Sequence, residues 1–494
     1  MWGLNNEKMR NSFRHTTWLV AIAILLVAGD LAYSFYQHSK YPMDGDMEES
    51  ILPRDYLIPL YQDPFGVKML AHHEPHAAPN RFFSHYLLYK TYRTVPFALQ
   101  KVVEPLQSVY LTNAICKTLM QIALLLLLCV LVCGGFRVKE PRFYLAMLLF
   151  APLFQTCGAT HSFGLIDISL SYDFFYALPL IFLVCSFLPF IYDEFFNRKL
   201  FPNVVLRTVW FLFFWVLTCF SGAINSAIVL VAILTLLIRF TVNYIFDKTL
   251  ENKSLGSFFK AVPRHYWLYL LPLGLLSLYS IWLGTFNTMW DSVSLTLAER
   301  YKLLPRGFLE MFKNTAFDIL VTLSVFNFVV IRLKFPQEGK TAIQLFLWIN
   351  VFALIYMVLL PFGGYRPYRP YLIRYDVMIA VSFLYMFHLV FTTLFLIDHL
   401  TQNRFRISYL IGCFVFMIYF TMIDIPMKWG NEQEIAAIRK IQASPEVPVV
   451  LTEPARVVSW MPRHSVEETK NASEMLYIWH ITDTVKPFYC LNVE

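Results

Sequence analysis

Long apolar runs separated by short polar connections dominate the chain. A hydrocarbon core about 30 Å thick takes about 20 apolar residues of helix. Eleven stretches meet or approach that length: 17–36, 112–133, 143–157, 174–192, 204–221, 223–246, 266–284, 316–333, 343–360, 377–397 and 407–425. The third is the shortest and holds Pro152, so a kink or a partial re-entry is expected there. Phe, Leu, Val and Ile fill the runs, and Tyr and Trp gather near their ends as interfacial anchors. The first run follows basic residues and precedes Ala32-Tyr33-Ser34, as a cleaved leader would. Asp30 sits badly beside a cleavage site and the run is long, so the pattern predicts a retained helix.

Only 15% of the residues are charged and 57% are hydrophobic, against about 25% charged in an ordinary soluble chain. That balance excludes a cytosolic enzyme, a disordered protein and a nucleic-acid binder. The small basic excess (Lys+Arg 41, Asp+Glu 34) is not spread evenly. Lys8, Arg10 and Arg14 precede the first run. Alternate loops then carry Arg137, Lys139 and Arg142; Arg198 and Lys199; Lys248, Lys253, Lys260 and Arg264; Lys334 and Lys340; Arg404 and Arg406. The intervening loops 158–173 and 222–226 carry none. The positive-inside rule then predicts a cytoplasmic N-terminus, and eleven crossings put the C-terminus outside. Eight cysteines lack any CxxC or zinc-knuckle spacing, so neither a disulfide frame nor a structural zinc is indicated.

The expected fold class is therefore an all-α polytopic membrane protein. A cytoplasmic N-terminus (1–16) precedes a transmembrane domain (17–425) and an extracytoplasmic C-terminal domain (426–494). Three outer loops stand out: 37–111, 285–315 and 361–376. The first is far longer than a compact bundle needs, and long loops are usually functional. The second mixes Leu295, Leu297, Leu303, Leu304 and Phe308 with Glu299, Arg300, Lys302 and Arg306, the mark of an interfacial amphipathic segment. In the tail, Glu432 to Gln442 reads as helix and Val447 to Leu451 as strand, a small α/β appendage.

Three clusters carry candidate chemistry. Outer loop 361–376 holds Arg366, Arg369 and Arg374 among Tyr365, Tyr368, Tyr371 and Tyr375. Arginine's planar fork matches phosphate oxygens, and tyrosines at headgroup level can stack on a sugar. The competing reading is that these arginines only snorkel to headgroups. The first outer loop opens with Asp44-Gly45-Asp46. Two carboxylates one residue apart can converge on a divalent cation (Mg or Mn), or one can take a proton from an attacking hydroxyl. A D-x-D tripeptide also arises by chance in acidic loops. The third cluster is His72, His73 and His76 with Asn80 and Arg81. His72 and His76 could share a helix face as metal ligands do, but Pro75 argues against a regular helix there. A polar, interfacial loop with substrate-contacting His or Arg is the stronger reading, and a purely structural loop stronger still. Ionisable residues in spans are functional candidates by default. Asp30, Lys117, Asp167, Asp173, Asp318 and Asp376 all fall towards outer ends, with Lys117 a candidate for substrate contact.

On Asp44/Asp46 after the first span, Arg374-Tyr375 before the tenth, and the overall plan, the chain resembles the C-type (GT-C) glycosyltransferase superfamily. It is most similar to uncharacterised multi-pass glycosyltransferase-like membrane proteins of Bacteroidetes-type bacteria. The resemblance implies an enzyme of the bacterial inner membrane that uses a polyprenyl-phosphate-linked sugar donor at the outer face. Arg366, Arg369 or Arg374, with Tyr375, would hold the donor phosphate. Asp44 or Asp46 would take the proton of an acceptor hydroxyl on a glycan, lipid or protein. Three other readings stand beside it: a flippase or transporter of lipid-linked oligosaccharide, a glycan polymerase or ligase, and a non-catalytic assembly or scaffolding protein.

Overall fold

The structure is a computed structural model that describes residues 17–156, 164–246, 254–289, 295–313, 315–363, 365, 371–422 and 430–491. It is mostly helical, and among the described residues nine helices are long and apolar enough to cross a membrane. The chain is therefore a multi-pass membrane protein in contact with lipid. Two further apolar helices, Pro141–Phe154 and Val204–Cys219, are shorter.

The first long helix, α1 (Thr17–His38), leads into α2 (Gly45–Ile51), near the start of the long loop 37–111. Further short helices and α3 (Phe82–Tyr92) build the rest of that loop. Helix α4 (Pro105–Cys133) starts on a proline whose missing N–H costs nothing there, and ends on Gly134 in the left-handed region (φ +67°). Its 29 residues span about 44 Å, so its first turns project beyond the hydrocarbon. After it comes α5 (Pro141–Phe150), tightened into a 3₁₀ turn over Ala151–Thr156, where Pro152 predicts a distortion; Cys157 lies outside the described residues. Next are α6 (Leu178–Phe196), α7 (Val204–Cys219), α8 (Ala223–Phe246) and α9 (Leu271–Gly284). The predicted amphipathic segment forms α10 (Leu297–Met311). It is pinned by Arg300 Nη1 donating to the Pro361 carbonyl (3.1 Å) and Tyr301 Oη donating to that of Val358 (2.9 Å).

The last four long helices are α11 (Thr315–Lys334), α12 (Lys340–Leu359), α13 (Ile379–His399) and α14 (Asn403–Met422). All are apolar nearly all round, so packing rather than amphipathicity decides their place. Helix α13 is buried along almost its whole length and α14 along almost none. Residues 430–491 form α15 (Glu432–Ala443), β1 (Val449–Leu451), α16 (Val466–Ile478) and β2 (Phe488–Cys490), the strands pairing in parallel with Val449 opposite Phe488. The sequence reading carries order only to Leu451. Helix α16 escapes it because its apolar stripe is interrupted by Glu467, Glu468, Lys470 and Asn471, although Ser465 caps it.

One tight spot joins α11 to α12. A Cβ on Gly339 would lie 2.1 Å from Ile331 Cγ2 and 2.8 Å from the Phe335 carbonyl oxygen. Gly339→Ala is expected to destabilise the chain by about 1–3 kcal/mol, read as a lowered Tm in detergent with unchanged helical content.

Candidate functional site at one end of the bundle

The first half of α4, the turn before α6 and the loop 37–111 meet in a buried ionic knot. Lys117 Nζ lies 2.6 Å from Asp173 Oδ2, and both side chains are fully buried. The same ammonium donates to the Asp167 carbonyl oxygen (2.6 Å) and stands over the Tyr41 ring. Asp173 Oδ1 accepts the Asp167 N–H (2.7 Å), and Asp167 Oδ1 accepts the Ser169 N–H (2.8 Å). Each charge is thus met by hydrogen bonds as well as by its partner, the condition under which buried ions are tolerated.

Asp44 is tied into this knot. Its Oδ1 accepts from Asp46 N, Met47 N and Ser171 Oγ, capping α2, while its Oδ2 accepts from Ser169 Oγ and Ser171 N. Five donors fill the roughly four lone-pair sites of a carboxylate. Asp44 therefore holds the turn, and Asp46 is the half-buried member of the pair. Asp46 Oδ1 accepts the Trp460 indole N–H (3.2 Å), and Trp460 packs against Tyr172. The residues present do not fit a resident divalent cation at this turn. Among the described residues, no group of three His, Cys, Asp or Glu is arranged to hold a metal.

Arg374 lies just before α13 and forms a bidentate pair with Asp376 (Nε–Oδ1 3.0 Å, Nη2–Oδ2 2.8 Å). Its backbone carbonyl accepts the Met378 N–H, and Tyr375 Oη donates to the Met311 carbonyl at the end of α10. Arg366 and Arg369 lie outside the described residues. Two links bring Arg374 and the knot together. Asp376 and Asp44 both act electrostatically on Asp167, and Tyr176, Asp376 and Arg374 all act on Tyr356 near the end of α12. Burial pushes the Asp167 carboxyl above the usual carboxylate range; Ser169 and Lys117 oppose the rise, and Asp376 and Asp44 add to it. From Asp46, Trp460, Tyr172 and Tyr176 neighbour one another in turn, and Tyr176 acts electrostatically on the buried Tyr356, as Arg374 and Asp376 do.

The histidine cluster does not assemble. His72 and His73 are exposed, the first ending a short helix and the second in the left-handed region, whereas His76 is buried with Nδ1 against the Ala77 carbonyl. Asn80 donates to the Ser280 carbonyl (2.9 Å), tying the loop to α9. Arg81 is half-buried and lines a small pocket with Tyr176, Ser221 and Asn225. His85 stacks on Phe175, and burial, aided by Arg81, lowers its pKa to about 3, so it is neutral.

The C-terminal domain closes the site through residues that no spacing in the sequence singles out. Glu434 Oε2 accepts from Met43 N (2.9 Å) and Tyr110 Oη (2.7 Å), and its Oε1 accepts from Val458 N (3.0 Å). Arg463 Nη1 pairs with Glu48 (2.8 Å), itself buried in α2. Burial pushes the Glu434 carboxyl up to about 7, against the pull of its three donors. Comparison with family models, with curated proteins and with solved structures gives no match.

Two outcomes follow. Lys117→Met strands the buried Asp173 charge and is expected to cost about 3–5 kcal/mol, seen as lost folded yield; Lys117→Met/Asp173→Asn recovers part of it. Between the ordinary carboxyl value of 4.5 and about 7, Glu434 holds a proton in the folded state that the unfolded state has released. Its contribution to stability is then complete at low pH and falls by roughly 1 kcal/mol per pH unit as pH rises towards 7. Limited proteolysis of the tail across pH 5–8 should show that slope, and Glu434→Gln should flatten it.

Proposed function

We propose that the protein is a membrane glycosyltransferase of the C type, moving a sugar from a polyprenyl-phosphate donor to an acceptor hydroxyl at the outer face of a bacterial inner membrane. The observation that carries this reading is the position of Asp167 within electrostatic reach of both Asp44 and Asp376. It links the acidic turn to the Arg374 loop at one end of the bundle.

The connectivity supports eleven crossings. Lys117 in the first half of α4 pairs with Asp173 just before α6, so the chain between them, including α5, returns to the level of the first half of α4. At the far side of α7, the Phe220 and Ser221 carbonyls accept from Phe83 N and Ser84 Oγ of α3, so α7 returns as well. Its 16 residues cover about 24 Å. With the basic loops inside, the N-terminus is cytoplasmic, and the acidic turn, the Arg374 loop and the C-terminal domain face out.

In this reading Arg374 holds the donor phosphate, with Tyr375 bracing the loop on α10, and Arg366 and Arg369 add charge from the same loop. Two of the five guanidinium N–H donors go to Asp376, which fixes the fork's plane. The acceptor oxygen attacks the anomeric carbon as the bond from that carbon to the phosphate oxygen breaks. The acceptor proton passes to Asp46, the leaving electron pair rests on the phosphate, and the configuration inverts. Asp44 acts as a positioning residue, holding the α2 turn that presents Asp46. Arg374 stabilises charge as it builds on the phosphate, the kind of contribution that is usually largest.

The test is purified full chain in liposomes with a labelled polyprenyl-phosphate sugar and a hydroxyl acceptor. Asp46→Asn should lower transfer about 10²–10⁴-fold, and Arg374→Ala about 10²–10³-fold, with Tm unchanged. Movement of the labelled lipid between leaflets without sugar transfer would favour the flippase and contradict the enzyme. Transfer of whole glycans but not single sugars would favour the polymerase or ligase.

A further inference from the structure

Helix α14 stands off from α11 and α13, leaving a groove of about 690 Å³ that opens sideways from the bundle. It lies at the far end of α13 from Arg374, so it is independent of the proposed catalytic site. Leu323, Val330, Leu389 and Phe416 give it aliphatic and aromatic walls. Asn327, Thr393 and Tyr409 in its wall bond within the protein: Asn327 Nδ2 donates to Thr392 and Thr393, and Tyr409 Oη donates to Asn327 Oδ1 (3.0 Å). The wall therefore offers an apolar occupant no penalty from those groups. From Leu323 to Lys334 the lining follows α11 for about 16 Å, the depth of one leaflet of a hydrocarbon core about 30 Å thick. Lys334, His399 and Gln402 stand at the mouth, and no carboxylate is among the lining residues.

We infer that this groove is a binding site for one phospholipid with an anionic headgroup. Its acyl chains lie between α14 and the α11–α13 face, and its phosphate lies at Lys334. Depth selects a molecule spanning a single leaflet, and the Lys334 charge, with no carboxylate among the described lining residues, selects an anionic head over a zwitterionic one. Gly412 of α14 lines the groove, and a Cβ placed there meets nothing within 4 Å. A side chain added at that position enters the space the lipid would fill.

The experiment is native mass spectrometry of the full chain in detergent, titrated with phosphatidylglycerol or with phosphatidylcholine of the same chains. The protein should retain one phosphatidylglycerol, with a preference over phosphatidylcholine of about fivefold from one basic residue at the surface. Lys334→Gln should remove the preference while keeping the phosphatidylcholine level. Gly412→Phe should lose both lipids with Tm unchanged. Equal retention of the two lipids by the unaltered chain, or full retention by Gly412→Phe, would overturn the assignment. So would a lipid-free dimer that Gly412→Phe dissociates, since a second copy would then be the occupant.

Discussion

Lys117 and Asp173 form an ion pair that neither side chain exposes to solvent, set beside the long loop 37–111 that carries Asp44. Removing two charges from water costs several kcal/mol per ion, and mutual attraction offsets that only when the remaining hydrogen-bonding capacity is filled. Here it is filled by Asp167, whose carbonyl takes a second ammonium proton and whose N–H meets the other Asp173 oxygen. The pair therefore fixes the loop before α6 as well as the two helices. Through Ser169 and Ser171 that loop holds Asp44, and through Asp44 it sets the turn bearing Asp46. One buried interaction thus positions the whole acidic side of the site.

The C-terminal domain belongs to the same arrangement. Glu434 gathers donors from the strand of chain before Asp44, from α4 and from its own domain, while Arg463 pairs with a buried carboxylate of α2. Trp460 then sits on Asp46. A tail docked this way does more than cover the site. It adds the indole that donates to the half-buried carboxylate and packs against Tyr172.

Much of the bundle was legible because a bilayer imposes length and apolarity on each crossing. Phe, Leu and Val runs therefore mark helices whatever they pack against. The ends of the helices were legible in part: Lys117, Asp167, Asp173 and Asp376 stand out as ionisable groups near apolar runs, and the structure gathers these four at one end. What could not be read was pairing. Nothing in the spacing ties Glu434 to Met43, or Arg463 to Glu48, because those contacts join residues 391 and 415 positions apart. The D-x-D reading treated Asp44 and Asp46 as equivalents. The serines that separate them in role lie about 125 residues away, in a loop whose own pattern signals only a helix cap. His72 and His76 fail as a pair because the helix ends at His72, three residues before Pro75.

Joining these parts is one spatial claim: the Asp46 turn and the Arg374–Asp376 pair face a single reaction centre. Cryo-electron microscopy of the full chain in nanodiscs with a non-hydrolysable polyprenyl-phosphate sugar tests it most directly. The account predicts phosphate density in hydrogen-bond contact with the Arg374 guanidinium and the sugar's anomeric carbon on the side facing Asp46. Phosphate density at the opposite end of α13, or a sugar held away from the α2 turn, would contradict it.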